Sequence, residues 1–562
     1  MEYIMYGAGN NAEKMIEKLQ VFITIKYIID ADMTKEGNTI KDIPIYSTRI
    51  LESNNFMREK IIVSVTNENA QIQIYNYLES LGLKKGIDFF NGAEMVNIFE
   101  AQYGHVSGYI SITENMVPIK SFDPRSRLIR LKNEKRIFRV VVEEYKQYYI
   151  DILNQLENNK ILGREVIYSK VIDNNLDFNF PLVIEHEYIE PISYCFEWSP
   201  RMFEDYVIFM IEFLKKLNKI NFGLEDGHLL NATLYRGEFI FIDFGAICST
   251  ITTPLTLVEF INTHILPFVL LKKNKIDNAY LLMKNSHIEF SILDVKGYLT
   301  ESELQQLIGI YQKALFAFSS EKIELLLEKL SLFISQIQAT TFSTRWIGYQ
   351  NDEWDWSQNR DNWSMKMKNV ISLIKTVKPN SIMDLAGNMG WYGSYLHDEV
   401  SQVIIADMDY GCIDHLWKNI HDRKMNNVYP VYMSLCTPSL DYYRDYPISS
   451  NSGLIPWRLS SNDRFKSELV LALAIIHHLA FGQQLTFKEI IEQISLYTKK
   501  YLIIEFVDQK DVYIDYFLKK GFEWYTRENF EKQLLRKYDI LSVKESTPSE
   551  TRTLYLCQLK DA

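Results

Sequence analysis

The chain is poor in the features that would place it outside ordinary globular proteins. Its five cysteines (Cys195, Cys248, Cys412, Cys436 and Cys557) are scattered, odd in number and contain no C-x-x-C pair. That argues against a disulfide framework or a thiolate zinc site and predicts a reducing, cytoplasmic setting. The 14 prolines and 23 glycines form no Pro/Gly-rich linker run. Basic charge is in deficit, with 61 Lys and Arg against 72 Asp and Glu and a net charge of −11. Broad attraction to nucleic acid or an anionic membrane is therefore not expected. The long apolar runs, such as LVLALAII at 469–476, are far short of a bilayer span. The opening MEYIMYGAGNN has no basic region followed by an apolar core, so a signal peptide is not expected either. What remains is a chain of 562 residues, 47% hydrophobic and 24% charged, which implies three or four globular units. Nothing in it specifies an oligomeric state.

Residues 1–98 read as strands alternating with helices, the pattern of a parallel, Rossmann-like sheet. EYIMYGAGNNAEKMIEKL is a strand, tight turn and helix, with Gly7, Gly9 and Ala12 in G-x-G-x-x-A spacing. Asp30 follows about twenty residues on, at the end of IKYIIDAD, where a ribose-binding acid would stand. The segment resembles the small nucleotide-binding domains that begin bacterial sugar-modifying enzymes, which implies a nucleotide ligand at Gly7, Gly9 and Asp30. The alternative is that the glycines serve only close strand–helix packing.

Residues 100–335 carry a second constellation in FGLEDGHLLNATLYRGEFIFIDFGAI (222–247). Asp226, Asn231 and Asp243-Phe244-Gly245 stand in the order and spacing of a protein-kinase-like core of α+β type. In such a core the first aspartate takes a hydroxyl proton, while the asparagine and second aspartate hold the Mg²⁺ that bridges ATP phosphates. PLVIEHEYIEP (181–191) reads as the hinge strand between lobes. The chain departs from the pattern in having no G-x-G-x-x-G loop, Leu224 in place of histidine, and no evident strand-three lysine. Arg139 or Lys135, with Glu143 or Glu144 as partner, are the candidate substitutes. Phosphoryl transfer and a degenerate structural module both remain open.

Residues 336–562 contain SIMDLAGNMGWYGSYL (381–396), an apolar run ending in an acid, then a small-residue loop and an amphipathic stretch. A nucleotide-like cofactor is commonly held at such a first strand–helix turn. Asp384, Ala386, Gly387, Asn388 and Gly390 occupy the places of a D-x-G-x-G-x-G loop. Asparagine tolerates the left-handed backbone that glycine supplies there. QVIIAD ends at Asp407, placed to accept ribose hydroxyls. His477 and His478 follow the fourth strand, and Glu505 and Asp508 follow or end the fifth. One histidine is a candidate base for a hydroxyl nucleophile, oriented by Glu505. RWIGYQNDEWDWSQNRDNW (345–363), LVLALAIIHHL, LIIEFV and the final Arg552–Leu556 strand, with Phe196-Glu197-Trp198-Ser199 upstream, resemble a bacterial family of class I methyltransferases dependent on S-adenosylmethionine (SAM) and related to nodulation and surface-polysaccharide enzymes. The resemblance implies SAM as cofactor and a small-molecule, sugar or glycan acceptor. Ser434 stands where that family has an acid near adenine, and Arg458 and Arg464 are candidate contacts for a phosphorylated acceptor.

The expectation is an α/β multidomain chain with an N-terminal Rossmann-like sheet, a central kinase-like α+β domain and a C-terminal class I methyltransferase domain. A bifunctional kinase–methyltransferase and a methyltransferase with non-catalytic N-terminal modules are the alternatives.

Overall fold

The computed structural model describes residues 2–19, 23–52, 60–85, 88–96, 116–119, 125–131, 134–172, 181–284, 290–340, 344–350, 363–440, 458–512, 514, 521–547 and 550–560. The boundary expected near residues 98–100 and most of the Trp-rich stretch, 351–362, lie outside them.

The first unit is a parallel sheet built on Glu2–Tyr6, with Thr24–Asp30 and Ile43–Ser47 on one side and Lys60–Val63 and Phe89–Asn91 on the other. Period-two alternation gives it two cores. Tyr3, Met5, Ile28 and Ile62 pack on one face, while Ile4, Tyr6, Ile29, Ile61 and Val63 pack on the other. A sheet buried on both faces needs apolar residues at successive positions, which YIMY and the IIV of Lys60–Val63 supply.

The second unit begins with a five-stranded antiparallel sheet. Arg136–Val141 lies at its centre, between Leu182–His186 and Ser126–Leu131. The helix Lys146–Asn158 follows that central strand. Beyond residue 186 the unit is mostly helical, and its helices include Pro200–Lys219, Glu301–Leu315 and Ser320–Gln336. The apolar stretch Pro254–Lys272 is long enough to cross a membrane, but 78% of its most apolar window is buried inside the protein, which makes it a core helix. A hairpin, Ala232–Tyr235 with Glu238–Phe241, has Asn231 at its entry and Asp243 just past its exit.

The third unit holds a seven-stranded sheet. Ser381–Leu385 is central, flanked in parallel by Gln402–Asp407 and Ser467–Ala472. Val428–Tyr432 forms one edge. On the other side Thr498–Val507 is followed in space by the antiparallel Arg552–Leu559 and then Tyr538–Glu545. Numbered along the chain, the order is 3-2-1-4-5-7-6. The carboxyl ends of strands 1, 2 and 4 converge where the order reverses, which is where α/β sheets bind ligands.

The second and third units are not beads on a string. One hydrophobic cluster runs through both, with Phe239 against Trp417 (ring centroids 5.7 Å apart) and Tyr280 against Tyr432 (4.9 Å). The buried Arg464 reaches across to Glu197 Oε2 at 2.7 Å and to the Ile192 carbonyl at 2.7 Å. Arg458 donates to the Lys284 carbonyl. Both arginines are buried and tied to the second unit, so neither stands in the role of a solvated contact for a phosphorylated acceptor.

Candidate cofactor loop and associated clusters

The loop after Ser381–Leu385 turns through three left-handed residues. Ala386 has φ +55°, Asn388 +54° and Gly390 +81°. Asn388 and Gly390 are suited to that conformation, whereas Ala386 carries a strain of about 1 kcal/mol. The turn has little room for side chains. A Cβ on Gly387 would meet Ile405 Cγ2 at 2.8 Å and the Asp384 carboxyl carbon at 2.9 Å, and one on Gly390 would meet Ile405 Cδ1 at 2.6 Å. The loop is therefore pressed onto the strand Gln402–Asp407. Asn388 N donates to Asp407 Oδ2 and Asp409 N to Asp407 Oδ1, both at 2.8 Å. Asp407 thus closes the loop while each oxygen keeps acceptor capacity.

Asp384 lies beneath the loop, 1% exposed, and its Oδ2 has no hydrogen-bond partner. Asn388 Oδ1 is also buried without one. Burial, and then the neighbouring Asp407, push Asp384 up to about 7. Burial pushes Asp407 up to about 6 against the amides of Asp409 and Asn388. Two carboxyls with raised affinity for protons and an orphaned oxygen form a site that gains from a cationic or hydroxyl-rich guest. SAM, with an ammonium, a sulfonium and a ribose diol, has the complementary groups.

Sequence reasoning missed the strap that crosses this loop. Trp346 N donates to Asp409 Oδ2 at 3.1 Å, and the Trp346 carbonyl accepts from Asn388 Nδ2 at 3.0 Å. The buried Gln350 donates from Nε2 to the Gly387 carbonyl at 3.5 Å. These contacts span about 40–60 residues and have no local signature, although Asp409, two residues past Asp407, was a readable helix N-cap for Tyr410–Arg423.

The strand Ser467–Ala472 leads through Ala474, at φ +52°, to His477 and His478, whose ring centroids are 4.1 Å apart. His477 is 4% exposed and its Nδ1 has no partner. Burial, then His478, Arg552 and Lys366, depress it to about 3, with only Asp511 opposing. Glu505 does not orient it. Its carboxylate accepts from Lys366 Nζ at 2.6 Å and Ser546 Oγ at 2.7 Å. Burial works against that charge, but Lys366, Ser546 and Arg552 hold Glu505 below the usual carboxylate range. Asp508 Oδ1 accepts the Lys510 amide.

In the second unit, Asp226, Asn231 and Asp243 are brought to neighbouring turns. Asn231 Nδ2 donates to the Asp226 carbonyl at 3.1 Å, and the Asn231 carbonyl accepts from Ile242 N at 2.7 Å. Asp243 Oδ1 accepts from Gly245 N at 3.0 Å and from Arg139 Nη2 at 3.3 Å. Arg139 lies across Gly245, where a Cβ would sit 2.6 Å from Nη1. Of the substitutes considered from sequence, Lys135 pairs instead with Glu190 at 2.5 Å, and Glu144 pairs with Lys85 of the first unit. The helix Lys146–Asn158 offers Arg139 the Tyr149 ring, 5.9 Å from the guanidinium carbon. Among the described residues no group of three His, Cys, Asp or Glu side chains is placed to hold a metal ion.

In the first unit, Asp30 Oδ2 accepts from Ala8 N at 2.6 Å and Lys35 Nζ at 3.0 Å, and Oδ1 accepts from Asp32 N. Burial raises its affinity for a proton, but the Asp32 and Ala8 amides and Lys35 outweigh that and keep the carboxyl below its ordinary value. Gly7, at φ +108°, is required by packing, since a Cβ would lie 2.8 Å from Ser64 Oγ. Gly9 faces open space.

No family model matches the chain. It is 25% identical over 403 residues to the nodulation protein NoeA of Rhizobium meliloti (strain 1021), covering 66% of this chain and 81% of that one. Solved structures with which it shares a likeness include the N-methyltransferase NodS from Bradyrhizobium japonicum WM9 in complex with S-adenosylhomocysteine (TM-score 0.27, 10% identity, 38% of this chain and 94% of that one). Another is the magnesium protoporphyrin IX methyltransferase ChlM from Synechocystis PCC 6803 with bound SAM (TM-score 0.27, 11% identity, 38% and 89%). Overlaps of that size add no argument of their own. The fold of the third unit, a Rossmann-like methyltransferase sheet, stands on its strand order, and its acceptor is not specified by these likenesses.

Proposed function

We propose that the chain is a SAM-dependent methyltransferase acting on a sugar or glycan-related acceptor. Asp384, Ala386, Gly387, Asn388, Gly390 and Asp407 hold the cofactor. SAM supplies a methyl group on a positively charged sulfur. Asp384 answers its ammonium, Asp407 its ribose hydroxyls, and the strap 344–350 fixes the loop from outside. The observation that carries this reading is the orphaned, 1% exposed Asp384 Oδ2 beneath a loop of three left-handed residues. In-line displacement depends chiefly on positioning, which a loop held from both sides provides. The glycan part of the reading rests on the resemblance of the sequence motifs to surface-polysaccharide enzymes.

For the second unit, the non-catalytic alternative is the better supported. Arg139 takes up an oxygen of Asp243, the expected Mg²⁺ ligand, and the helix Lys146–Asn158 presents the Tyr149 ring to that arginine. The bifunctional alternative needs Asp243 and Asn231 to take Mg²⁺·ATP, with Asp226 as base. A nucleotide at Gly7 and Gly9 competes with the Asp30 carboxylate for the Ala8 amide.

Calorimetry of the intact protein with S-adenosylhomocysteine and with ATP·Mg²⁺ tests the reading. Saturable binding of the first is expected. ATP binding that disappears in Asp243→Ala would restore the bifunctional alternative, and absence of homocysteine-adduct binding by folded protein would sink the methyltransferase reading.

A further inference from the structure

The rim beside the cofactor loop is poorly built for removing a proton. A sugar hydroxyl attacks a methyl group well only if a base takes its proton during the displacement. His477 stands at the strand end for that task, yet it is buried, and no carboxylate is hydrogen-bonded to it among the described residues. The nearby acids are engaged elsewhere. Glu505 is held by Lys366 and Ser546, and Asp511 by both Arg552 Nε (2.8 Å) and Nη2 (3.1 Å). An imidazolium formed there would be a desolvated cation with no carboxylate of its own, since the nearby acids are already paired.

The same surroundings suit an anion. The His478 ring is 5.3 Å from Trp346, and the exposed Arg345 guanidinium lies 4.9 Å from the Trp346 ring centre. Arg345 has no carboxylate partner among the described residues. Arg345 and Arg552 both act on His478, depressing it after the effect of burial. A planar guanidinium held over an aromatic ring and open to solvent is suited to gripping a carboxylate through two N–H groups.

We propose that the methyl acceptor is a carboxylate, a uronate where the acceptor is a glycan, guided by Arg345 while the buried His477 serves as a hydrogen-bonding wall and not as a base. The inference rests on reading the third unit as a SAM-dependent methyltransferase. The acceptor oxygen bonds to the methyl carbon, the carbon–sulfur bond breaks with its electron pair left on sulfur, and no proton is released. Opposite charges are neutralised in this step, so a low-dielectric pocket favours it.

The test is calorimetry on the protein–S-adenosylhomocysteine complex with tetragalacturonate and with the same tetramer after reduction of its carboxyls. The acid is expected to bind about tenfold tighter, as one charge-assisted contact allows. Arg345→Gln, measured with S-adenosylhomocysteine at saturation, should erase that difference. In parallel, methyl-labelled SAM is offered with tetragalacturonate, the reduced tetramer and a glucosamine tetramer. A label released as methanol by mild alkali marks an ester and supports the proposal. Equal or absent binding of the two galactose-type tetramers overturns it, as does alkali-stable label on a hydroxyl or amine. Failure of the unliganded protein to bind S-adenosylhomocysteine is a separate result that removes the methyltransferase reading itself.

Discussion

Replacing Arg464 by leucine removes a buried cation that joins the second and third units. Its guanidinium serves both Glu197 oxygens, the Ile192 carbonyl and Ser439 Oγ, and its Nε serves the Leu459 carbonyl. In the variant, Glu197 keeps the Tyr194 amide and the Ser439 hydroxyl, but its charge stays buried with no countercharge. Breaking a buried pair from one side costs roughly 3–5 kcal/mol, and the two retained hydrogen bonds place this case toward the lower end. The double change Glu197→Gln with Arg464→Leu should be the milder, because an amide needs no counterion. Urea unfolding followed by tryptophan fluorescence, run as a double-mutant cycle, measures both. A single-mutant cost below about 1 kcal/mol, the value of an exposed pair, would refute the claim that the two units share one core.

A fragment starting at residue 336 should then fail to fold as a soluble methyltransferase unit, which circular dichroism and gel filtration would show. Gly390→Ala, forced to hold φ +81° with its Cβ 2.6 Å from Ile405 Cδ1, should cost about 1–3 kcal/mol and weaken S-adenosylhomocysteine binding. Gly9→Ala, facing open space, should leave thermal stability unchanged. Asp384, at about 7 in the ligand-free protein, must lose its proton to accept an ammonium. Calorimetric affinity for S-adenosylhomocysteine should therefore rise with pH up to about 7, by at most about tenfold per unit, and Asp384→Asn should flatten that profile. The same raised value makes the folded state bind more protons than the unfolded one, so ligand-free stability from this group falls as pH climbs from about 4 through 7. Asp243→Ala should leave methyl transfer within about twofold of the parent, since Asp243 bonds the Gly245 amide and Arg139 in the second unit, away from the loop at Asp384.

What could be read from the sequence was local. SIMDLAGNMG displays an apolar strand, its terminal acid and a loop in which asparagine replaces glycine at a left-handed position, and each of those features has a backbone reason that a short window contains. Likewise Asp226, Asn231 and Asp243 are separated by one turn and one hairpin, so their proximity follows from chain geometry. The partners were not legible. Glu505 and Lys366 are 139 residues apart and Glu197 and Arg464 are 267 apart. A charge acquires such a partner only when packing brings distant segments together, and no periodicity records it. For that reason Arg464 reads in the sequence as a candidate contact for a phosphorylated acceptor. Gln350 and Trp346 were visible as part of an aromatic stretch, but nothing local says that they cross the Gly387–Asn388 turn.

Hydrogen exchange of the intact protein with and without S-adenosylhomocysteine most directly tests whether the loop at Asp384 is the cofactor site. Protection should appear in peptides covering 382–392 and 405–412, with the strap 344–350 following them. Protection confined to residues 2–12, at the Gly7–Gly9 turn of the first unit, would contradict that assignment.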